Sequence, residues 1–291
     1  MKFLLRFLLL LVGAASAFAA TDPAAIDAAR KLYTERKLPD AQAAFEKIAA
    51  SDPQCADAHY YLAQLALRRN DDEKAIASAE KAVALAPDNA EYQHLLGDAF
   101  GGYAQKASVF SQFGLAKKCL AAYLRAVALK PDSVGYHQSL FEYYRQAPGL
   151  AGGGRDKALA EAATIKKLNP LAGRVAFATL YVADKKYDLA LAEFDEVLKT
   201  NPDDFAALYQ VGKLAAVSGQ FLDRGLASLR HCLELPPPAS PNTPGHPAAN
   251  WRLGLILELK KDPTGARAAY EAALKLDPKF PQAAEALKKL K

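Results

Sequence analysis

WRLGLILELKKDPTGARAAYEAALKLDP, residues 251–278, is the stretch whose reading decides the fold. Small residues stand at Gly254, Ala266 and Ala273, an aromatic ring at Tyr270, and a proline closes the phrase at Pro278. The residue before a proline is pushed out of the helical region, so a helix stops there. A proline also fits the first turn of a helix, where its missing N–H has no partner to lose, so each closing proline is expected to open the next helix.

The phrase recurs as KKCLAAYLRAVALKPD (117–132), KAIASAEKAVALAPDN (74–89) and DLALAEFDEVLKTNPD (188–203). The closing prolines are Pro53, Pro87, Pro131, Pro170, Pro202, Pro237 and Pro278, at intervals of 34, 44, 39, 32, 35 and 41 residues. Intervals clustered at or just above 34 indicate one unit repeated with insertions. Twelve residues before each proline stand Ala41, Ala75, Cys119, Ala158, Ala190, Gly225 and Ala266. Five before stand Ile48, Ala82, Ala126, Ile165, Val197, Cys232 and Ala273. An earlier set comprises Ala29, Ala63, Gly97, Ala178, Gly212 and Gly254, broken by Phe141 in the fourth unit. Small residues at these spacings let the two helices of one unit approach closely. Phe45, Tyr123, Phe194, Leu229 and Tyr270 are expected to fill the space between units. Cys119 and Cys232 occupy small buried positions, where a free cysteine acts as a small hydrophobe. With Cys55 they make an odd, irregularly spaced set, which is neither a disulfide framework nor a metal site.

This small–small–aromatic–small–proline pattern resembles the tetratricopeptide repeat family, over about residues 22 to 290. The resemblance implies an all-α fold, a solenoid of helical hairpins in a right-handed superhelix. About seven repeats are expected, at 22–53, 56–87, 90–131, 134–170, 171–202, 205–237 and 247–278, with a capping helix at 280–290. It also implies a concave face lined by fixed positions of each first helix. Carried onto this sequence, these are Tyr60, Gln64, His94, Asp98, Gln138, Glu142, Tyr209, Lys213 and Trp251, with Arg68 and Arg145 a turn further on. Aromatic and arginine side chains carry much of the energy of protein recognition, so a protein or peptide partner is expected there. Aromatic rings also stack sugars, so a glycan or small ligand of the cell envelope is the alternative occupant. Family members that clamp an acidic C-terminus use Lys and Asn at these positions. Tyr60 and Gln64 stand where that clamp would begin and argue against it.

The first twenty residues, MKFLLRFLLLLVGAASAFAA, combine Lys2 and Arg6, an apolar run and a small-residue stretch. This is the layout of a secretory signal at 1–19, cleaved after Ala17 or Ala19, its apolar run too short for an ordinary membrane span; an uncleaved anchor is the alternative. An exported protein, periplasmic or secreted, is expected, and the insertion in the third unit together with the glycine turn of the fourth resembles exported bacterial repeat proteins. Removing Lys2 and Arg6 leaves 35 basic and 32 acidic side chains, a balance that gives no footprint for nucleic acid.

Two insertions remain. APGLAGGGRDKALAEA (147–162) lacks the GxxxxGK[ST] spacing and the preceding strand of a nucleotide loop, so it reads as a turn between the helices of the fourth unit. An anion held by Arg155 and Lys157 at the helix start is the alternative. GDAFGGYAQKASVFSQFGLAKK (97–118) adds ten residues to the third unit. Its Tyr103, Val109, Phe110 and Phe113 are expected to lie on longer helices that project and pack locally. The proline-rich stretch at 236–247 reads as a stiff linker, with a recognition strip on one edge of a polyproline II helix as the alternative. His59, His94, His137, His231 and His246 show no HExxH or triad arrangement, so neither a catalytic residue, a metal site nor a cofactor is expected.

Overall fold

The computed structural model describes residues 22–239 and 243–290. The expected signal peptide and part of the proline-rich stretch lie outside the described residues. The chain divides into two compact units, the first ending at Lys130 and the second beginning at Pro131.

The first unit contains α1 (Pro23–Thr34), α2 (Leu38–Ser51), α3 (Ala56–Arg68), α4 (Asp72–Leu85), α5 (Ala90–Ala104) and α6 (Val109–Leu129). The second contains α7 (Val134–Gln146), α8 (Arg155–Leu168), α9 (Pro170–Ala183), α10 (Tyr187–Leu198), α11 (Phe205–Ser218), α12 (Leu222–Glu234), α13 (His246–Leu259), α14 (Pro263–Leu276) and α15 (Pro281–Lys289). Among the described residues there is no strand. Consecutive helices pair as seven hairpins, and α15 closes the array against α14. First helices also pack on one another within a unit: α3 on α5, α7 on α9, α9 on α11 and α11 on α13.

The small positions act as the spacing implies. Ala41, Ala75, Ala126, Ala158, Ala190, Cys232, Ala266 and Ala273 are fully buried. A Cβ added to Gly97, Gly212 or Gly254 would lie 2.4, 2.3 and 2.3 Å from Tyr123, Leu229 and Tyr270 respectively. Each large side chain therefore sits on the small residue of its own hairpin. Leu229 and Tyr270 also belong to one core cluster that runs across the last two hairpins. Phe45 does bridge units, stacked on Tyr61 at 4.6 Å.

The closing prolines are corrected, apart from Pro170, which does open α9. Pro53, Pro87, Pro202 and Pro278 occupy the second position of β-turns closed by N–H donation from Cys55, Asn89, Asp204 and Phe280 to the carbonyl three residues back. Proline's fixed φ suits that position. His59, Gln93 and His137 each reach back to the carbonyl of the proline six residues earlier, at 2.9–3.0 Å, which accounts for three buried polar side chains.

The glycine turn joins α7 to α8 as expected. Gly152 and Gly154 take φ of 93° and 151°, and a Cβ on Gly153 would lie 1.9 Å from the Ala147 carbonyl oxygen. Lys157 donates to the Gly152 carbonyl at 2.8 Å, and Arg155 pairs with Asp184. Both cations of the alternative anion site are thus engaged by the protein itself. The insertion in the third unit does lengthen α6, to 21 residues. Val109 and Phe110 do not pack locally, however; they are 80% and 98% exposed.

All three cysteines are buried free thiols. Burial pushes the Cys119 and Cys232 thiols up to about 12, aided by the carboxylates of Asp98 and Asp204 respectively. At pH 8 only about one such thiol in ten thousand is ionised, and the thiolate is the reacting form. In the folded protein, Cys119 and Cys232 are expected to resist Ellman's reagent at pH 8, whereas three thiols titrate in strong urea. Rapid native labelling of either would contradict their core assignment.

Candidate functional site

In the first unit the first helices α1, α3 and α5 share a continuous polar network. Arg30 on α1 pairs with Asp57 on α3 at 2.7 Å, and Asp57 accepts from Tyr92 on α5 at 2.6 Å. Tyr33 donates to Gln64 at 2.5 Å and accepts from Arg68 at 2.9 Å. Tyr60 retains only 6% exposure, stacks on Tyr92 with centroids 5.0 Å apart and donates to Glu91. Its ring body is packing between first helices. On α5, Asp98 accepts from Tyr123 at 2.7 Å and lies 3.5 Å from His94. Burial raises the Asp98 carboxyl, against the opposing pull of His94 and Tyr123. In this unit Gln64, His94 and Asp98 are held in place by partners.

In the second unit Gln138, Glu142 and Arg145 share α7. Gln138 is exposed, and Glu142 accepts from Arg145 at 2.6 and 2.9 Å and from Gln146 at 2.9 Å. Tyr209 on α11 is 6% exposed. Lys213, one turn further along α11, is half-buried, and Trp251 and Arg252 on α13 are half-buried too. The Arg252 guanidinium lies 4.1 Å from the Trp251 ring centroid, and Trp251 meets Phe280 edge-on at 6.1 Å.

Lys213 and Arg252 are the electrostatic anomaly of this face. Burial lowers the Lys213 ammonium below the ordinary lysine range, and the positive charge of Arg252 lowers it further. Neither forms an ion pair among the described residues, and the Arg252 Nε is buried without a hydrogen-bond partner. Two half-buried cations from successive first helices thus act on each other with no ion-pair partner among the described residues, an arrangement that costs free energy. Tyr60 and Gln64, which argued against a carboxylate clamp, lie in the first unit, and Lys213 and Arg252 lie in the second. Arg252 lies outside the positions singled out in the sequence, and its only signal there was its adjacency to the single tryptophan.

Among the described residues no cluster of histidine, cysteine or carboxylate side chains could hold a metal ion, and no helix is long and apolar enough to cross a membrane.

A tetratricopeptide repeat family model matches residues 26–90 and 175–223, and a second tetratricopeptide repeat model matches 247–280. No curated protein matches the sequence. Among solved structures, a tetratricopeptide repeat protein from Parabacteroides merdae superposes with a TM-score of 0.60 at 14% identity, covering 91% of this chain and 96% of that one. A human IFIT1 dimer with PPP-AAAA gives 0.54 at 17% identity, covering 87% of this chain and 54% of that one. The Cut9–Hcn1 hetero-tetramer of the APC/C gives 0.51 at 15% identity, covering 93% and 49%. At these identities the likeness is one of fold.

Proposed function

The chain belongs to the tetratricopeptide repeat family, and from that premise we propose that it is an exported, non-enzymatic scaffold whose first-helix faces hold a peptide segment of a protein partner. The fold is that of protein-interaction scaffolds, in which each repeat adds one strip to an extended surface. The observation that carries the reading is the Lys213–Arg252 pair beside Trp251. An acidic side chain or terminal carboxylate seated there would neutralise both cations and give the Arg252 Nε an acceptor, while the peptide's apolar atoms cover the indole. Export rests on the three-part N-terminal sequence, and N-terminal sequencing of the secreted or periplasmic form would show the cut after Ala17 or Ala19.

Trp251 is the only tryptophan in the chain, so its fluorescence reports on this site alone. A short peptide rich in Asp and Glu, with a free C-terminus, is expected to change Trp251 emission on titration. Its Asn/Gln counterpart with an amidated terminus is expected to bind at least about tenfold more weakly, as is the acidic peptide to Lys213→Ala or Arg252→Ala. Equal responses to both peptides would remove the anionic-peptide reading. A response to cell-wall glycan fragments in place of peptides would move the assignment to the alternative occupant.

A further inference from the structure

We propose that the N-terminal tip of α6 docks the protein onto an anionic lipid surface. The register of the third hairpin sets the tip apart. Gly97 lies against Tyr123 and Gly101 against Cys119, so Ala104, the last residue of α5, falls opposite Ala116. Residues Val109 to Leu115 extend α6 past the end of its partner helix by roughly 10 Å. Val109, Phe110 and Phe113 crown this extension with exposures of 80%, 98% and 43%. Contiguous exposed apolar side chains of this kind mark surfaces that meet a partner or a membrane.

The surrounding charge selects the partner. From Ala99 to Pro131 the sequence holds Lys106, Lys117, Lys118, Arg125 and Lys130 without one Asp or Glu. Lys106 is tied to Asp72 and Arg125 to Asp88. Lys117 and Lys118 form no ion pair among the described residues. Phe110, Phe113 and Lys117 follow one helical face, and the Lys117 ammonium lies 4.4 Å from the Phe113 ring centroid. The lysine thus sits one turn behind Phe113 and two behind Phe110, where headgroup phosphates would be when the Phe110 ring rests among the acyl chains. The Ser108 hydroxyl pairs with that of Ser111 at 3.3 Å and caps no backbone N–H of α6, so the positive end of the helix faces the same way.

A second copy of the chain fits this tip poorly. A symmetric contact would bring Lys117 and Lys118 against their own equivalents. Three apolar side chains on a protrusion are also too few for a stable protein interface, which takes roughly twenty residues a side. A fluid surface needs no shaped pocket, only apolar atoms and the opposite charge.

The test is flotation of the purified chain with phosphatidylcholine vesicles, with and without phosphatidylglycerol. Association is expected only when phosphatidylglycerol is present, and it should weaken as salt rises. Phe110→Asp with Phe113→Asp is expected to abolish it, and Lys117→Glu with Lys118→Glu to reduce it by about thirtyfold or more. These side chains are largely exposed, so unchanged melting would show that the variants remain folded, and the Trp251 response to peptide should persist in both. Three results would overturn the proposal: no association of the wild type, association indifferent to the phenylalanine changes, or a dimer in sedimentation that those changes dissolve. The last would reassign the tip to self-contact.

Discussion

Replacing Gly173 by alanine is expected to destabilise the second unit by about 3 kcal/mol, the upper end of ordinary overpacking. The added Cβ would lie 2.2 Å from the Cα and 2.3 Å from the N of Lys166, on α8. These are backbone atoms, which cannot rotate aside as a side chain can. Nor can the corner open easily, because Asn169 alone joins α8 to α9. Its N–H ends α8 on the Ile165 carbonyl, and its side chain accepts from Ala172 to start α9. Gly114→Ala is the contrasting control. Gly114 lies inside α6 with nothing within 4 Å of the new methyl, so that change should stabilise by about 0.5–1 kcal/mol. Urea unfolding followed by circular dichroism measures both. Equal midpoints for Gly173→Ala and the wild type would show that the α8–α9 corner is looser than its geometry implies.

The second large effect is expected at Tyr270. Its side chain is fully buried against Gly254, and truncation to alanine should cost about 3–5 kcal/mol through lost burial and the cavity left behind. Tyr270→Phe keeps the ring and removes only the hydroxyl, which donates to the exposed Glu258. That change should cost no more than about 1 kcal/mol. Since repeats are stabilised by their neighbours, the alanine variant should lose amide protection first in α13, α14 and α15 and leave the first unit protected. Uniform loss of protection along the whole chain would instead show that the repeats unfold as one block. A Tyr270→Phe variant as unstable as Tyr270→Ala would transfer the energy from ring packing to the hydrogen bond.

A large share of this structure was legible in the sequence because helix pairing is periodic. Gly97, Gly212 and Gly254 recur at the same place in their units because each faces the large residue of its own hairpin, and that relation is repeated with the unit. The glycine run at 152–154 was readable as a turn for a similar reason: it falls where the pattern leaves a gap between two helices. The contacts of Tyr123, Leu229 and Tyr270 with the glycine of their own hairpin were not legible, because residue spacing tells which positions are buried, not which neighbours they meet. The prolines were misplaced because the same fixed φ serves a helix start and the second residue of a β-turn, and only the closing hydrogen bonds distinguish them.

The candidate site was legible only as a set of helix positions. The sequence by itself determined the helical hairpin, its repetition, the small buried residues and the first-helix face on which Lys213 and Trp251 lie. Tertiary structure alone decided that Arg252 and Lys213 act on each other with no ion-pair partner among the described residues, that Tyr60 and Tyr209 are buried, that Gly173 meets the α8 backbone, and that Phe110 stands in solvent. The physical reason is one of range. Hydrophobic periodicity and turn chemistry act over a few residues and repeat with the unit. Charge proximity, desolvation and backbone clearance depend instead on how successive hairpins are set against each other, and that varies from one junction to the next.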